Sequence, residues 1–181
     1  MKLPAFCSTS WFCAVPLYLG TLVDLHAGEG IRQAGDVLQY ALPATAIGFT
    51  IGHRDGEGAV QFGKSAALTL GVTYGLKYTV DETRPNGGRH SFPSGHASIS
   101  FSSAEYMRKR YGWEYGAPAY AAASFVAYSR VESREHHPQD VLAGAGIGLL
   151  SSTIFTKPYK GWHAGLEGDT KGVALTLSRH W

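Results

Sequence analysis

Pro138 restricts this chain more than any other residue, because it stands between a charged dozen, Ser129 to Asp140, and the apolar run Val141 to Leu150. Proline fixes its own φ and has no N–H, so it suits the first turn of a helix and pushes the residue before it out of the α region. A helix therefore starts at Pro138 and continues through Val141-Leu-Ala-Gly-Ala-Gly-Ile-Gly-Leu-Leu150, with His136 and His137 in an extended approach to its mouth. Asp140 falls in the first turn, where the helix dipole favours a carboxylate, and it can reach back to the imidazole of His136. A carboxylate that takes one ring N–H holds the tautomer and leaves the lone pair of the other nitrogen facing outward, as a nucleophile or base requires. The same spacing also describes a surface histidine beside a helix-start aspartate, so the stretch gains meaning only with the rest of the chain.

Four further apolar segments carry helical spacing. The first runs from Ile31 to Gly52 with a kink at Pro43, and the second from Val60 to about Val80, ending near Lys77. The third opens at Pro93 or Ser94 and reaches the basic cluster Arg108-Lys109-Arg110, which suits a helix C-terminus; the fourth spans Tyr115 to Ser129. Arg84-Pro85-Asn86-Gly87-Gly88 breaks the chain between the second and third, and His53-Arg-Asp-Gly-Glu-Gly58 forms a polar loop between the first and second. Trp162–Leu166 and Val173–Ser178 alternate at period two around Gly168-Asp-Thr-Lys-Gly172 and read as a β-hairpin. The expectation is an all-α bundle of about five to six helices with a small C-terminal β-hairpin, in one domain, which a length of 181 residues suits.

Charges bound the apolar runs at Asp36/His53, Lys64/Lys77, Glu114/Arg130 and Asp140/Lys157, leaving roughly 12–17 residues each, short of the ~20 that cross a bilayer comfortably. Glycine- and alanine-rich helices of this length also occur in membranes, which leaves membrane association open. Lys2 followed by a weakly polar run to Val23 and small residues near Ala27-Gly28 resembles a secretory signal cut after Ala27, with an uncleaved anchor or a first core helix as rivals. On that reading residues 1–27 are leader and 28–181 the working domain, placed outside the cytoplasm, in the periplasm or on a membrane. Cys7 and Cys13 both lie in the leader, so its removal leaves no thiol for a disulfide, a metal or a nucleophile. A net charge of +2, with no basic run interleaved with aromatics, is too mild to point to nucleic acid, and none is expected as a partner.

Three clusters follow one another: Lys77 with Arg84-Pro85, then Pro93-Ser94-Gly95-His96, then Ser129-Arg130 with His136 and Asp140. As Lys-x6-Arg-Pro, Pro-Ser-Gly-His and Ser-Arg-x5-His-x3-Asp, with every defining position filled, they resemble the type 2 phosphatidic acid phosphatase (PAP2) superfamily, which includes bacterial acid phosphatases, lipid phosphatases and vanadium haloperoxidases. The resemblance covers residues 77–140. It implies a helical core, a phosphorylated small-molecule or lipid substrate, His136 as nucleophile and His96 as acid and base.

Physical chemistry supplies each position with a task independently of the resemblance. A phosphoryl group in transfer spreads charge over its equatorial oxygens, so catalysis is mainly positioning and electrostatic stabilisation. Lys77, Arg84 and Arg130 offer three cations from three elements, and an arginine fork can hold two oxygens at once. Ser94, Gly95 and His96 open a helix whose free N–H groups and positive dipole end favour an anion. His136, oriented by Asp140, would attack phosphorus, and His96 would protonate the leaving oxygen and then activate water. Arg89, His90, Arg134 and His137 fill no defining position and read as loop or rim residues. Ser94 lacks the strand-turn-helix setting of a serine nucleophile.

The chemistry so read is a phosphatase acting on phosphate monoesters, with no cofactor and no metal, and the resemblance implies lipid phosphates or isoprenoid pyrophosphates as substrates. A vanadium-dependent haloperoxidase and a phosphate- or headgroup-binding protein without turnover are the alternatives. Histidines 90, 96, 136 and 137 lack the carboxylate–histidine spacing of a zinc site, and three nearby cations would repel the ion. Activity is therefore expected to be unchanged in EDTA; a loss restored by adding a divalent ion would contradict the mechanism.

Overall fold

The computed structural model describes the backbone of residues 14–159, 162–169 and 172–179, and the side chains of residues 28–159. Five helices follow in order: α1 (Ala14–Gly52), α2 (Gly56–Thr79), α3 (Gly95–Tyr111), α4 (Trp113–Glu132) and α5 (Pro138–Phe155). They are followed by an antiparallel pair, β1 (Trp162–Asp169) and β2 (Gly172–Arg179), with Trp162 opposite Arg179 and Asp169 opposite Gly172. This is the expected helical bundle with a hairpin. α1 is longer than its apolar spacing indicated, and it carries Pro43 in its interior. The cut expected after Ala27 falls within α1, while Cys7, Cys13 and the rest of residues 1–13 lie outside the described residues.

α3 is the axis of the bundle, packing against all four other helices. Its buried face is built largely of small polar residues, Ser98, Ser100, Ser102 and Ser103, beside Ala97, Ala104, Tyr106 and Met107. Small side chains let neighbouring helices come close, and most of their hydroxyls are absorbed locally or across the interface. Ser103 Oγ donates to the Ile99 carbonyl at 2.8 Å, Thr73 Oγ1 of α2 to Ser98 Oγ at 3.0 Å, and Thr69 Oγ1 to Ser102 Oγ at 3.1 Å. Such hydroxyls satisfy the backbone or one another and so avoid the cost of burying unpaired polar atoms.

α5 crosses α3 at close range. A Cβ on Gly144 would stand 2.3 Å from the Ser94 carbonyl oxygen, and one on Gly148 would stand 2.1 Å from that of Ser98. The amide of Ser94 donates to the carbonyl of Asp140 at 2.9 Å, joining the N-terminal ends of α3 and α5 through the backbone.

At the other end of α3 the basic cluster does more than complement a helix dipole. Arg110 forms a two-pronged pair with Asp55, Nη2 to Oδ1 at 2.6 Å and Nε to Oδ2 at 2.7 Å, with both side chains about 3% exposed. Asp55 also caps α2 by accepting from the Gly58 amide, and Arg110 Nη1 donates to the Lys157 carbonyl. Arg108 pairs with Glu105, and Lys109 donates to the Thr153 carbonyl of α5. Charge position along one helix shows the dipole effect; tertiary partners are invisible to it. Among the described residues, no helix is long and apolar enough to cross a membrane.

Because backbone, not a flexible side chain, occupies the space beside Gly148, Gly148→Ala is expected to lower stability by about 1–3 kcal/mol through overpacking. The drop in midpoint on chemical denaturation measures it. Gly146→Ala, where a Cβ meets nothing within 4 Å, serves as the control and should leave stability unchanged or slightly raised.

Candidate active site

The N-terminal ends of α3 and α5, held together as above, point two imidazoles into one cleft. Ser94 caps α3 with its side chain accepting from the Ala97 amide at 3.4 Å, so Gly95 and His96 are the first two residues of the helix. His137, extended at φ −74°, ψ 156°, is the residue before α5, with Pro138 in its first turn. His136 and His96 line a cleft of about 490 Å³ together with Lys77 from the last turn of α2, Arg84 from the α2–α3 loop, and Gly95. Gln39, Tyr40 and Pro43 of α1, Leu70 and Tyr74 of α2, and Ile99 complete its walls.

Asp140 is fully buried behind His136. Its Oδ2 accepts from the backbone N–H of His137 at 2.9 Å and from Ser91 Oγ at 2.5 Å, and lies 3.6 Å from His136 Nδ1. The carboxylate thus faces Nδ1, at ion-pair distance rather than in the direct hydrogen bond expected of it, because Oδ2 is already shared by two shorter donors. The other ring nitrogen, Nε2, is on the opposite side of the imidazole. Among the described residues, His136 Nδ1, Asp140 Oδ1 and Arg84 Nε are buried without a hydrogen-bond partner.

The α2–α3 loop is folded onto the mouth of α5. Ser91 Oγ donates to Asp140 Oδ2, Gln139 Nε2 to Glu82 Oε1 at 3.2 Å, and His137 Nε2 lies 3.1 Å from the Thr83 carbonyl oxygen, while Ser91 N closes the loop on itself by donating to the Glu82 carbonyl at 2.8 Å. Within the loop, Arg84 N donates to the Gly88 carbonyl and Gly87, at φ +88°, closes the turn. Arg84 Nη1 meets Glu135 Oε2 at 2.7 Å. Lys77 Nζ donates to the carbonyl of His90, a residue held at φ +56°.

Arg130 stands apart from the cleft walls. It is 2% exposed, and Nη1 meets Asp36 Oδ1 at 2.7 Å, Nη2 the Arg32 carbonyl at 2.7 Å and Nε the Ser129 hydroxyl at 3.1 Å. Asp36 also receives His96 Nε2 at 3.1 Å, so Arg130 is linked to the cleft through that carboxylate. Arg89, paired with Asp81, is exposed, and His137 contacts the α2–α3 loop; neither lines the cleft.

Asp36 and Glu135 are residues that motif reasoning passed over. Asp36 entered only as the charge bounding an apolar run, although Asp36, Gln39, Tyr40 and Pro43 form a polar-aromatic stripe at helical spacing that could have marked a face turned to a site. Glu135 is one more carboxylate in a charged dozen, and nothing in its local sequence singles it out.

Burial pushes His136 down to about 4, aided by the charges of Lys77 and Arg84 and opposed by Asp140. His96 is also lowered, first by burial and then by Arg130, against the upward pull of Asp36 and Glu135. Lys77 is lowered by burial and by Arg84. A neutral imidazole with one ring nitrogen facing an electropositive cleft has the chemistry a nitrogen nucleophile requires. On an NMR titration His136 is expected to stay neutral down to about pH 4, and Lys77→Met, which removes one of the two depressing cations, should raise its midpoint. A midpoint near 6.5 in the unaltered protein would contradict this electrostatic account.

The sequence model of the PAP2 superfamily matches residues 86–162. The lipid A 4'-phosphatase of Helicobacter pylori is 32% identical over 164 residues, covering 82% of each chain. A lipid A 1-phosphatase of Porphyromonas gingivalis is 33% identical over 129 residues, 62% of this chain and 28% of that much longer protein. The crystal structure of Aquifex aeolicus LpxE superposes with a TM-score of 0.54 at 21% identity, covering 72% of this chain and 92% of its own, and so shares the fold.

Proposed function

The chain belongs to the PAP2 superfamily and is a phosphatase, and on that premise we propose that it removes a phosphate monoester from a lipid, of the lipid A class, by way of a phosphohistidine on His136. The observation that carries the reading is the shared cleft: His136, His96, Lys77 and Arg84, from four separate segments, face one space. The lipid class is supported by the relatives named above and by the cleft rim, where Tyr40, Tyr74 and Leu70 are 71%, 52% and 40% exposed. An apolar rim over a cationic floor matches a molecule with acyl chains and a phosphate head. The protein works at a membrane surface outside the cytoplasm.

In the first displacement, the Nε2 lone pair of His136 forms a bond to phosphorus as the bond from phosphorus to the lipid oxygen breaks. His96, protonated, gives its proton to that departing oxygen. Asp140, 3.6 Å from Nδ1, stabilises the cationic ring that results. Lys77 and Arg84 meet the equatorial oxygens, with the buried, unpaired Nε of Arg84 as one donor, and the first amides of α3 at Gly95 and His96 supply others. Arg130 completes the set when phosphate draws it from Asp36. In the second displacement, water loses a proton to His96 and attacks phosphorus, the P–N bond breaks, and inorganic phosphate and neutral His136 are restored.

Brief incubation with 32P-labelled lipid A and rapid denaturation should trap a label on the protein that is stable to base and labile to acid. His136→Ala should bind the lipid but neither acquire the label nor release phosphate. Phosphatidate, polyprenyl pyrophosphate and p-nitrophenyl phosphate, assayed in parallel, should turn over more slowly. Label persisting in His136→Ala, or faster release from the soluble ester than from any lipid, would refute the mechanism or the lipid assignment respectively.

A further inference from the structure

Asp36 has no assigned task in that reaction, yet it sits where two of its participants meet. One oxygen, Oδ1, lies 3.1 Å from His96 Nε2 and 2.7 Å from Arg130 Nη1. The local sequence permits this bridge: Gly35 lies so tightly on α4 that a Cβ there would fall 2.0 Å from Ser129 Oγ and 2.8 Å from Arg130 Nη2. α1 therefore approaches closely enough for a short aspartate side chain to reach both partners. Oδ2 lies 3.5 Å from Arg32 Nη1, one turn earlier on the same helix.

We propose that Asp36 is the positioning residue of the second histidine: by accepting the Nε2–H of His96 it selects the tautomer in which Nδ1 does the work, and through the same oxygen it ties that imidazole to Arg130. This rests on the phosphatase reading. The two imidazoles are then oriented through opposite nitrogens. His136 turns Nδ1 to Asp140 and keeps Nε2 for phosphorus, whereas His96 turns Nε2 to Asp36 and keeps Nδ1, which makes no hydrogen bond among the described residues. In neutral His96, Nδ1 is bare and can take a proton from water; in the imidazolium, Nδ1 carries the proton for the lipid oxygen. Because Oδ1 is shared, a phosphate that draws Arg130 toward itself leaves the carboxylate to His96 alone, so substrate binding favours the protonated acid.

Among the described residues, the charged and titratable groups around His96 are Asp36, Arg32 and Tyr40 on α1, Tyr74 and Lys77 on α2, Arg84 on the α2–α3 loop, Arg130 on α4, and Glu135 and His136 before α5. Asp36 and Glu135 pull its pKa upward while burial and Arg130 pull it down. Removing the charge of Asp36 must therefore lower it, and the acid limb of His96 is lost at lower pH.

The test is Asp36→Asn in the full chain, comparing the pH profile of kcat on the lipid phosphate with the 15N NMR titration of His96. The alkaline limb should move to lower pH by about one unit, as expected for losing an opposite charge at hydrogen-bond distance. At neutral pH kcat should fall about tenfold or more, with KM changed far less, and Asp36→Glu should recover most of the loss. In the unaltered protein the neutral imidazole should be the Nε2–H tautomer. An unmoved limb with lower kcat and a lower melting temperature would make Asp36 a fold contact only, and an unmoved limb with a lower KM would make it only a counter-ion of Arg130; either overturns the proposal. If the unaltered protein hydrolyses no phosphate ester, the phosphatase reading has failed, while the His96 titration still decides the role of Asp36.

Discussion

Gly144 and Gly148 of α5 lie against the backbone of α3 so closely that a single methyl group on either would collide with a carbonyl oxygen. That crossing, with the Ser94 N–H to Asp140 carbonyl bond at its upper end, fixes the distance between the two helix mouths. Every group in the cleft is placed from there. His96 is the second residue of α3, His136 stands two residues before α5, and the loop carrying Arg84 is fastened to the α5 mouth through Glu82, Ser91 and Thr83. Helices separated by larger side chains would hold the imidazoles farther apart and with more freedom.

Gathering cations around a cleft has an electrostatic cost, since like charges repel and burial strips away water. Carboxylates outside the motifs offset it. Glu135 holds Arg84, Asp36 holds Arg130, and Lys77 rests on a carbonyl whose residue adopts a left-handed backbone. The uncompensated part adds to burial at His136, whose pKa is lowered first because burial disfavours a charged ring and then because a proton there would add another charge to the cluster. A field that would favour an anion in the cleft thus adds to burial in keeping the imidazole beside it unprotonated.

The far end of α3 is anchored by a different arrangement. Arg110 and Asp55 pair almost without solvent, and the pair collects the cap of α2, the hydroxyl of Tyr111 and the carbonyls of Lys157 and Pro158. With nearly every donor and acceptor satisfied, this buried ion pair avoids the penalty that makes isolated ones unfavourable. One end of α3 is therefore saturated with hydrogen bonds, and the other, among the described residues, leaves polar atoms of His136, Asp140 and Arg84 without partners, facing the cleft or directly behind it.

The start of α5 at Pro138 and the break around Arg84-Pro85 could be read from the chain alone, because proline and glycine act on the backbone within one or two residues. Five helices and a hairpin were legible for a related reason: periodicity is a local property, and only the helix ends moved. The three motifs likewise named which residues to look for around a phosphate, and the fold brings Lys77, Arg84, His96 and His136 to one cleft. What tertiary structure alone decided are the partners. That Asp36 would bridge His96 and Arg130, some 60 and 94 residues away, that Glu135 would hold Arg84, and that Arg110 would bury its charge on Asp55 depend on which helix faces cross, and at what distance. A carboxylate looks the same in sequence whether it faces water or an arginine, because the energy that distinguishes the two cases is stored between segments and not within them.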